Sequence, residues 1–311
     1  MTPVTHIRVQ VPATSGNLGP GFDSLGLAYQ LYDELGVVFS PPSGKANNPT
    51  THVTVWGEGS DSLPTDDSHL VIQAIRKTIA QADAPQPDIK MTCQNRIPHG
   101  RGLGSSAAAV VAGIAAAQAY LANTDPEKAL ALATDFDGHP DNAAPAISGG
   151  ATVAWLDAQG QPHAQRLSVH PEIVPTLLVP QTELATKKAR AALPPVVPHQ
   201  DAAFNASRAA LLVTALTQQP ELLLAASEDR LHQDYRAAQM PASAALLGEL
   251  RGARFAAVVS GAGPSLLVLT PQREVAQLDI ALASLLPVST GNWRVIRPGI
   301  DAHGAVARPL S

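Results

Sequence analysis

The fold of this chain is decided by residues 98–108, which read Pro98-His99-Gly100-Arg101-Gly102-Leu103-Gly104-Ser105-Ser106-Ala107-Ala108. They follow a stretch in which Ile89, Met91 and Cys93 alternate with polar residues, as in a strand, and they precede an alanine-rich stretch typical of a buried helix. Glycines at 100, 102 and 104 allow backbone N–H groups to turn inward around an anion, and the following helix points its positive end at the same place. The segment therefore predicts a phosphate-binding loop.

Two well-known nucleotide motifs do not fit this loop. A Walker A loop requires Gly-Lys-Ser/Thr, which is absent, and the Rossmann fingerprint requires a third glycine where Ser105 stands. Ser105 and Ser106 are expected to cap the helix, and one hydroxyl could also reach Mg²⁺. The alternative is an ordinary helix-entry turn, but three alternate glycines followed by two serines exceed what a cap requires.

Two other segments join strands to glycines and small residues. The first reads Pro12-Ala13-Thr14-Ser15-Gly16-Asn17-Leu18-Gly19-Pro20-Gly21-Phe22-Asp23-Ser24-Leu25-Gly26 and places Asn17 and Asp23 on a tight loop. The second reads Ser260-Gly261-Ala262-Gly263-Pro264-Ser265 and is long enough to form an anion-accepting nest of N–H groups. A capped turn and a glycine-rich hairpin connection are the respective alternatives.

The rest of the chain mixes strand and helix patterns without a regular βαβ repeat, which favours an α+β fold. We predict strands over 7–11 (ending at Pro12), 35–39, 53–56, 152–156, 177–179, 256–260, 266–270 and 293–296, and helices over 126–135, 184–192, 203–217, 220–232 and 274–285. A further helix, capped by Ser68, carries Val71, Ile75 and Ile79, and residues 41–49 form a loop. Gly and Pro cluster near 159–163, which predicts two domains, 1–162 and 163–311.

Composition narrows the class of protein. The 311 residues include 21 Lys and Arg and 26 Asp and Glu, which gives a net charge of −5. No basic stripe is present, and both observations argue against a nucleic-acid partner. The single cysteine excludes an intramolecular disulfide framework and a cysteine-rich zinc site. The uncharged run over 102–124 is rich in Ala, Gly and Ser, so it predicts a buried helix and not a membrane span. The start lacks the pattern of a secretory signal, which predicts a cytoplasmic protein.

The three glycine segments, in this order and spacing, resemble the three motifs of the GHMP kinase family of small-molecule kinases. The similarity runs from residue 7 to about residue 270. Two further clusters, His139-Pro140-Asp141-Asn142-Ala143-Ala144-Pro145-Ala146 and Asp229-Arg230-Leu231-His232-Gln233-Asp234-Tyr235-Arg236, look like those of the members that phosphorylate L-homoserine. The Gly-Glu-His element of galactokinases and mevalonate kinases is absent.

The resemblance implies a fold and a reaction. The fold is an N-terminal α+β domain with a left-handed crossover, resembling a ribosomal-protein domain, packed on a ferredoxin-like C-terminal half, with ATP in the cleft between them. The reaction is transfer of the γ-phosphoryl group of Mg-ATP to the side-chain hydroxyl of L-homoserine, which gives O-phospho-L-homoserine for threonine synthesis. Another small alcohol as acceptor, or a non-catalytic metabolite-binding role, are the alternatives.

The resemblance also implies how the nucleotide and the metal are held. Residues 98–108, with Gly261 and Gly263, would bind the triphosphate. Mg²⁺ would be bound by Ser106 and by an acidic residue just before the His139 cluster. Family members commonly have Glu there, whereas this chain offers Asp135 and Asp137, whose shorter side chains put a direct metal contact in doubt. A solvated acidic helix end is the alternative.

The substrate residues follow from the same resemblance. Arg190 and Arg236 occupy the positions that bind the substrate carboxylate, and bidentate guanidinium geometry suits that task. The ammonium would be received by Asn17, Asp23 and Asp141. Asn142 would hydrogen-bond the attacking hydroxyl, and with Asp23 it is a predicted catalytic residue. His139 could serve as a general base, but we expect it to position its loop. The apolar C-terminal helices leave room for a homodimer.

Overall fold

Two sheets organise the chain. The computed structural model describes residues 4–42 and 49–310. The first part contains β1 (Thr5–Gly16), β2 (Leu25–Ser40), β3 (Thr51–Gly57), α1 (Leu70–Gln81), β4 (Asp88–Asn95), α2 (Ser105–Tyr120), α3 (Pro126–Asp137), α4 (Ala143–Ser148), β5 (Ala151–Leu156) and β6 (Pro162–Leu167). The second part contains β7 (Ile173–Val179), α5 (Thr186–Ala191), α6 (His199–Thr217), α7 (Leu223–Ala226), α8 (Gln233–Arg236), α9 (Pro241–Gly252), β8 (Ala256–Val259), β9 (Leu266–Pro271), α10 (Val275–Leu285), β10 (Arg294–Ile296) and β11 (Val306–Leu310). Most of the predicted loop over 41–49 and the first three residues lie outside the described ranges.

The first sheet has the order β11-β1-β2-β4-β3, with β5 paired to both β2 and β6. Its neighbours are antiparallel except β3 and β4, which are parallel and are connected through α1. In β1, Ile7, Val9 and Val11 are buried, as their alternation predicts. The prediction that β1 ends at Pro12 is wrong. The strand continues to Gly16 through a register shift at Pro12, because a bulge accommodates a residue without an N–H donor.

Helix α2 packs on this sheet, and α1 packs against α2. Val71, Ile75 and Ile79 of α1 are buried, as their spacing predicts. The predicted cap is wrong by one residue. His69 is the N-cap, and its Nδ1 accepts from the Val71 N–H at 3.3 Å. Helix α2 is largely buried, as predicted, and in the described ranges we find no helix with the length and apolar character needed to cross a bilayer.

The second sheet is antiparallel in the order β10-β7-β9-β8, and it confirms the predicted β8–β9 hairpin. The predicted helix over 220–232 is wrong. It breaks after Ala226, since the Asp229 carboxylate accepts the N–H groups of Leu231, His232 and Gln233 and starts the separate helix α8.

The boundary between the sheets differs from the predicted domain boundary. The position between 162 and 163 lies at the start of β6, which pairs with β5 of the first sheet. Strand β11, which the sequence pattern missed, also pairs with β1 of the first sheet. The chain therefore leaves the first sheet after Leu167 and returns to it at Val306.

Candidate active site

A cavity of about 480 Å³ lies where the three glycine segments meet. It is lined by Asn17, Asp23, Gly100, Gly102, Gly104, Ser105, Ser106, Ala107, Phe136, Asp137, His139, Asp141, Asn142, Leu184, Ala185, Thr186, Lys187, Arg190, Arg236, Gly261 and Ala262. Hydrogen bonds hold the segments together, because the Ser260 hydroxyl donates to the Gly102 carbonyl at 2.6 Å and the Gly261 N–H donates to the Gly16 carbonyl at 3.2 Å. One cavity thus joins segments that are far apart in the sequence.

The glycines of residues 98–108 have the geometry of an anion-binding loop. Gly100, Gly102 and Gly104 have φ values of 63°, 73° and 67°, which L-residues with a Cβ rarely adopt. A Cβ on Gly102 would also lie 2.2 Å from the Ser260 carbonyl oxygen. The loop can therefore wrap toward the cavity only with glycine at this position.

The N-terminus of α2 faces this cavity without a side-chain cap. Gly104 occupies the cap position, and the predicted capping by Ser105 and Ser106 is wrong, because both serines already lie in the first helical turn. The Ser106 hydroxyl instead donates to Asp137 at 3.3 Å. The first N–H groups of α2 consequently remain available to an anion.

Seven of the thirteen residues predicted to bind the nucleotide line the cavity, and six do not. Those that line it are Gly100, Gly102, Gly104, Ser105, Ser106, Ala107 and Gly261, and those that do not are Pro98, His99, Arg101, Leu103, Ala108 and Gly263. Leu103 and Ala108 are fully buried in the core, and the Arg101 guanidinium donates to the carbonyls of Pro180 and Gln181.

The two candidate metal carboxylates occupy different environments. Asp137 lines the cavity beside Ser106, and burial raises the pKa of its carboxyl. Asp135 lies on the exposed side of α3 and forms an ion pair with Lys77 at 3.3 Å. Only Asp137 is therefore placed to share an oxygen ligand set with Ser106.

A hydrogen-bonded cluster forms the wall beside Asp137. His139 Nδ1 lies 2.6 Å from Asp141 Oδ1, and this hydrogen bond raises the pKa of His139. Asn142 Nδ2 donates to the same oxygen at 3.3 Å, and Asn142 Oδ1 accepts from the Thr14 hydroxyl at 3.0 Å. The Asn142 amide is thus held at both ends in a defined orientation.

Asp23 and Arg190 form a bidentate ion pair across the cavity. Arg190 Nη2 and Nη1 lie 2.8 and 3.0 Å from the two carboxylate oxygens of Asp23, and this pairing raises the pKa of Arg190. Asn17 fixes the loop that carries Asp23, since its Oδ1 accepts from the Asp23 N–H and its Nδ2 donates to the Gly261 carbonyl. Oxygens of Asp23 and Asp141 and a ring nitrogen of His139 lie within 4.8 Å of one another.

Arg236 is a buried cation without a carboxylate partner in the described residues. It is 2% exposed, and its Nη1 contacts the Gly261 carbonyl at 3.3 Å and His232 Nδ1 at 3.1 Å. Its Nε has no hydrogen-bond partner within the described ranges. Burial and the nearby charge of Arg190 lower the pKa of Arg236. The site therefore contains an unneutralised guanidinium that an anionic ligand group would satisfy.

Several residues of the site were missed by the sequence analysis. The Phe22 ring lies 5.6 Å from the Arg190 guanidinium and 5.5 Å from that of Arg236, within range of a cation–π contact to each. Lys187 also lines the cavity, and its position three residues before Arg190 on one helix could have indicated it, since such residues share a face. The residues Phe136, Leu184, Ala185, Thr186 and Ala262 gave no such signal.

Comparisons with known proteins agree with this geometry. Residues 69–150 match the family model for the GHMP kinases N terminal domain, and residues 207–281 match that for the GHMP kinases C terminal domain. The chain belongs to the GHMP kinases, a family of phosphotransferases.

Similar proteins narrow this class further. Homoserine kinase of Clavibacter michiganensis is 50% identical over 306 residues, which cover 97% of this chain and 94% of that protein. Homoserine kinase of Streptomyces coelicolor is 47% identical over 98% of this chain and 95% of its own length. The crystal structure of homoserine kinase from Cytophaga hutchinsonii superposes with a TM-score of 0.84 at 25% identity, covering 97% of both chains. The expected GHMP kinase fold is thereby confirmed.

Proposed function

We propose that this protein is a homoserine kinase, which transfers the γ-phosphoryl group of ATP to the side-chain hydroxyl of L-homoserine and forms O-phospho-L-homoserine for threonine synthesis. One observation carries the proposal. Next to the N-terminus of α2, a single cavity is lined by two guanidinium groups, Arg190 and Arg236, and by the carboxylates of Asp23 and Asp141, with Lys187 and the candidate metal ligand Asp137 on the same cavity. This charge pattern complements a small zwitterion that also carries a hydroxyl.

Arg236 and Arg190 are proposed to bind the substrate carboxylate. Arg236 is buried and lacks an acidic partner among the described residues, so a carboxylate would offset its desolvation. Arg190 is bound by Asp23, whose two oxygens match a substrate carboxylate in geometry. Binding of a zwitterion would therefore exchange one ion pair for two, with the substrate carboxylate at Arg190 and its ammonium at Asp23.

The nucleotide is proposed to lie across the N-terminus of α2. The triphosphate would accept hydrogen bonds from the N–H groups of the loop and of the first turn. A second, largely apolar cavity of about 240 Å³ shares Ser105 and Ser106 with the first one, and Leu35, Leu63 and Val71 contribute to its walls. We assign this second cavity to the nucleotide base, because a flat apolar group attached to the bound phosphates would extend into it.

Mg²⁺ is proposed to bind at Ser106 and Asp137. A hydroxyl and a carboxylate 3.3 Å apart, beside the phosphate loop, are the hard oxygen donors that this ion prefers. When bound, Mg²⁺ would neutralise negative charge on the phosphate oxygens. The exposed carboxylate of Asp135, paired with Lys77, has no part in this proposal.

The chemical step is proposed to depend on positioning. The substrate hydroxyl oxygen forms a bond to the γ-phosphorus, the bond from that phosphorus to the bridging oxygen breaks, and the hydroxyl proton passes to a phosphoryl oxygen. Asn142, held by Thr14 and Asp141, would orient the hydroxyl. His139 is a poor general base because its hydrogen bond to Asp141 raises its pKa and favours the protonated ring.

Product analysis tests the function. Incubation with Mg-ATP and L-homoserine should give ADP and a product whose mass and fragmentation match O-phospho-L-homoserine. Two truncated acceptors, 4-hydroxybutyrate without the ammonium and 3-aminopropan-1-ol without the carboxylate, should each have a kcat/KM lower by about 30-fold or more. Faster turnover of mevalonate or a sugar would assign a different acceptor, and failure to consume ATP with any acceptor would indicate a non-catalytic protein.

Asp137→Asn is expected to raise the Mg²⁺ concentration that gives half-maximal activity by about tenfold or more, because the metal would lose its carboxylate ligand. Asp135→Asn is the matched control from the same helix and should shift that concentration by less than about twofold, because the exposed side chain of Asp135 forms a surface ion pair with Lys77. Magnesium titrations of the two variants at saturating ATP measure both effects. Equal shifts in the two variants would contradict the assignment.

Assembly and location are further proposals. Net charge of −5 favours neither nucleic acid nor an anionic membrane as a partner, and a cytoplasmic location suits a biosynthetic enzyme. Ile280 on α10 and Val288 just after it are 73% and 81% exposed, which is consistent with the homodimer that the apolar C-terminal helices suggest.

A further inference from the structure

His232 is a fully buried histidine next to the candidate active site that the proposed reaction does not use. Its ring lies between two parts of the site. Nε2 is 2.8 Å from the Gly19 carbonyl oxygen, in the first glycine segment, and Nδ1 is 3.1 Å from Arg236 Nη1. The Phe22 ring lies 5.3 Å away, centroid to centroid. The imidazole therefore connects the N-terminal loop to the unpaired guanidinium.

The chemistry of these two neighbours fixes the state of the ring. A carbonyl oxygen can only accept a hydrogen bond, and a guanidinium can only donate. A ring that bonds to both must carry its proton on Nε2 and present a lone pair at Nδ1. A protonated ring would instead direct an N–H at Arg236 and place a second positive charge beside it. Burial lowers the pKa of His232, in agreement with the neutral form.

The carboxylate of Asp229 does not take the place of the Gly19 carbonyl as the hydrogen-bond acceptor of His232 Nε2. Asp229 Oδ2 lies 3.7 Å from His232 Nε2, beyond hydrogen-bonding distance, and the Asp229 oxygens accept the backbone N–H groups of residues 231–233. Among the described residues, Arg236 Nε has no hydrogen-bond partner and Nη1 contacts two acceptors, His232 Nδ1 and the Gly261 carbonyl. The imidazole lone pair is therefore one of the two acceptors there that orient this guanidinium.

We infer that His232 is a positioning residue, which holds the Arg236 guanidinium in the orientation that receives the carboxylate of the amino-acid substrate. The inference rests on the proposed function. It assigns His232 no contact with the substrate and no role in proton transfer. Its effect should consequently be on substrate affinity, and it should leave the nucleotide and the chemical step nearly unaffected.

Two amide variants separate the two hydrogen bonds. In His232→Gln the amide nitrogen can take the place of Nε2, which keeps the bond to Gly19 but removes the acceptor for Arg236. In His232→Asn the amide oxygen can take the place of Nδ1, which keeps that acceptor but removes the donor to Gly19. We expect the KM for L-homoserine to rise about tenfold or more in H232Q and by less than about threefold in H232N, with kcat and the KM for ATP within about twofold of wild type in both.

Two controls separate a loss of positioning from a general effect of the substitution. His163→Gln, at an exposed histidine of β6, should change neither KM, and thermal unfolding of each variant reports whether it is folded. An unchanged KM for L-homoserine in H232Q, equal rises in H232Q and H232N, or a fall in kcat alone would overturn the inference. If H232Q does not fold, His232→Leu, which also lacks the acceptor for Arg236, takes its place: a rise of about tenfold or more in the KM for L-homoserine that H232N does not share supports the inference, and a smaller rise, or equal rises in the two variants, overturns it. Turnover of L-homoserine by the wild-type protein, in the same assay, tests the proposed function separately.

Discussion

Asn142→Ala is expected to lower kcat by about 100-fold or more while the KM for ATP stays within about twofold. The amide of Asn142 is held in one orientation by the Thr14 hydroxyl and by Asp141, and it lines the same cavity as the glycines of residues 98–108. A group fixed in this way contributes most when the hydroxyl attacks, because its orientation requires no rearrangement at that moment. Steady-state kinetics with a coupled ADP assay measure the effect.

Thr14→Val is the matched control for this prediction. It preserves the shape of the buried side chain and removes only the hydroxyl that holds Asn142 Oδ1, so we expect a smaller loss of kcat, about three- to tenfold. If kcat of the Asn142 variant survives and only the KM for L-homoserine rises, Asn142 binds the substrate and does not act in the chemical step.

Arg236→Met is expected to raise the KM for L-homoserine by about 30-fold or more, with kcat at saturating substrate changed far less. Loss of a buried charge pair costs about 2 to 5 kcal/mol, and each 1.4 kcal/mol is about tenfold in affinity. The same change should alter the thermal unfolding midpoint little, because removal of a buried cation that has no acidic partner among the described residues is offset by the loss of its hydrogen bonds to the Gly261 carbonyl and His232 Nδ1.

Arg251→Met controls for the removal of a partly buried arginine. Arg251 lies outside the cavity, and its guanidinium donates to the carbonyls of Leu224 and Ala257 and to the Ser227 hydroxyl. Its loss should lower the unfolding midpoint, because these acceptors would lose their partner, and should leave the KM for L-homoserine unchanged. A raised KM for L-homoserine in both variants, or in neither, would remove Arg236 from the substrate site.

Local patterns predicted much of the fold because they follow from short-range physics. The alternation of Ile7, Val9 and Val11 indicates a half-buried strand wherever that strand lies, and the glycines of residues 98–108 have positive φ values that residues with a Cβ rarely adopt. Strand β11 escaped prediction for a physical reason as well. Strand β11 contains Pro309, which weakens the strand pattern in the sequence. The proline, which has no N–H to donate, is accommodated because β11 lies at the edge of the sheet.

The candidate site could be predicted in composition but not in arrangement. Asp135 and Asp137 are equivalent in the sequence, yet residues two apart on a helix point about 160° away from each other, so only one can face a given cavity. Which one does so depends on how α3 is rotated against the sheet. In the same way, Asp23 and Arg190 were both predicted, whereas their pairing with each other in the free protein follows from the packing of distant segments.

The pairing of β1 with β11 also bears on how this chain folds. His6 lies opposite Leu310, so the pairing of β1 with β11 joins residues that are separated by almost the whole described chain. Contacts between residues so distant in sequence are slow to form, and until then β1 presents an unpaired row of N–H and C=O groups. An open strand edge can pair with another chain, so the stage of folding before β11 docks exposes this edge of β1 to intermolecular pairing.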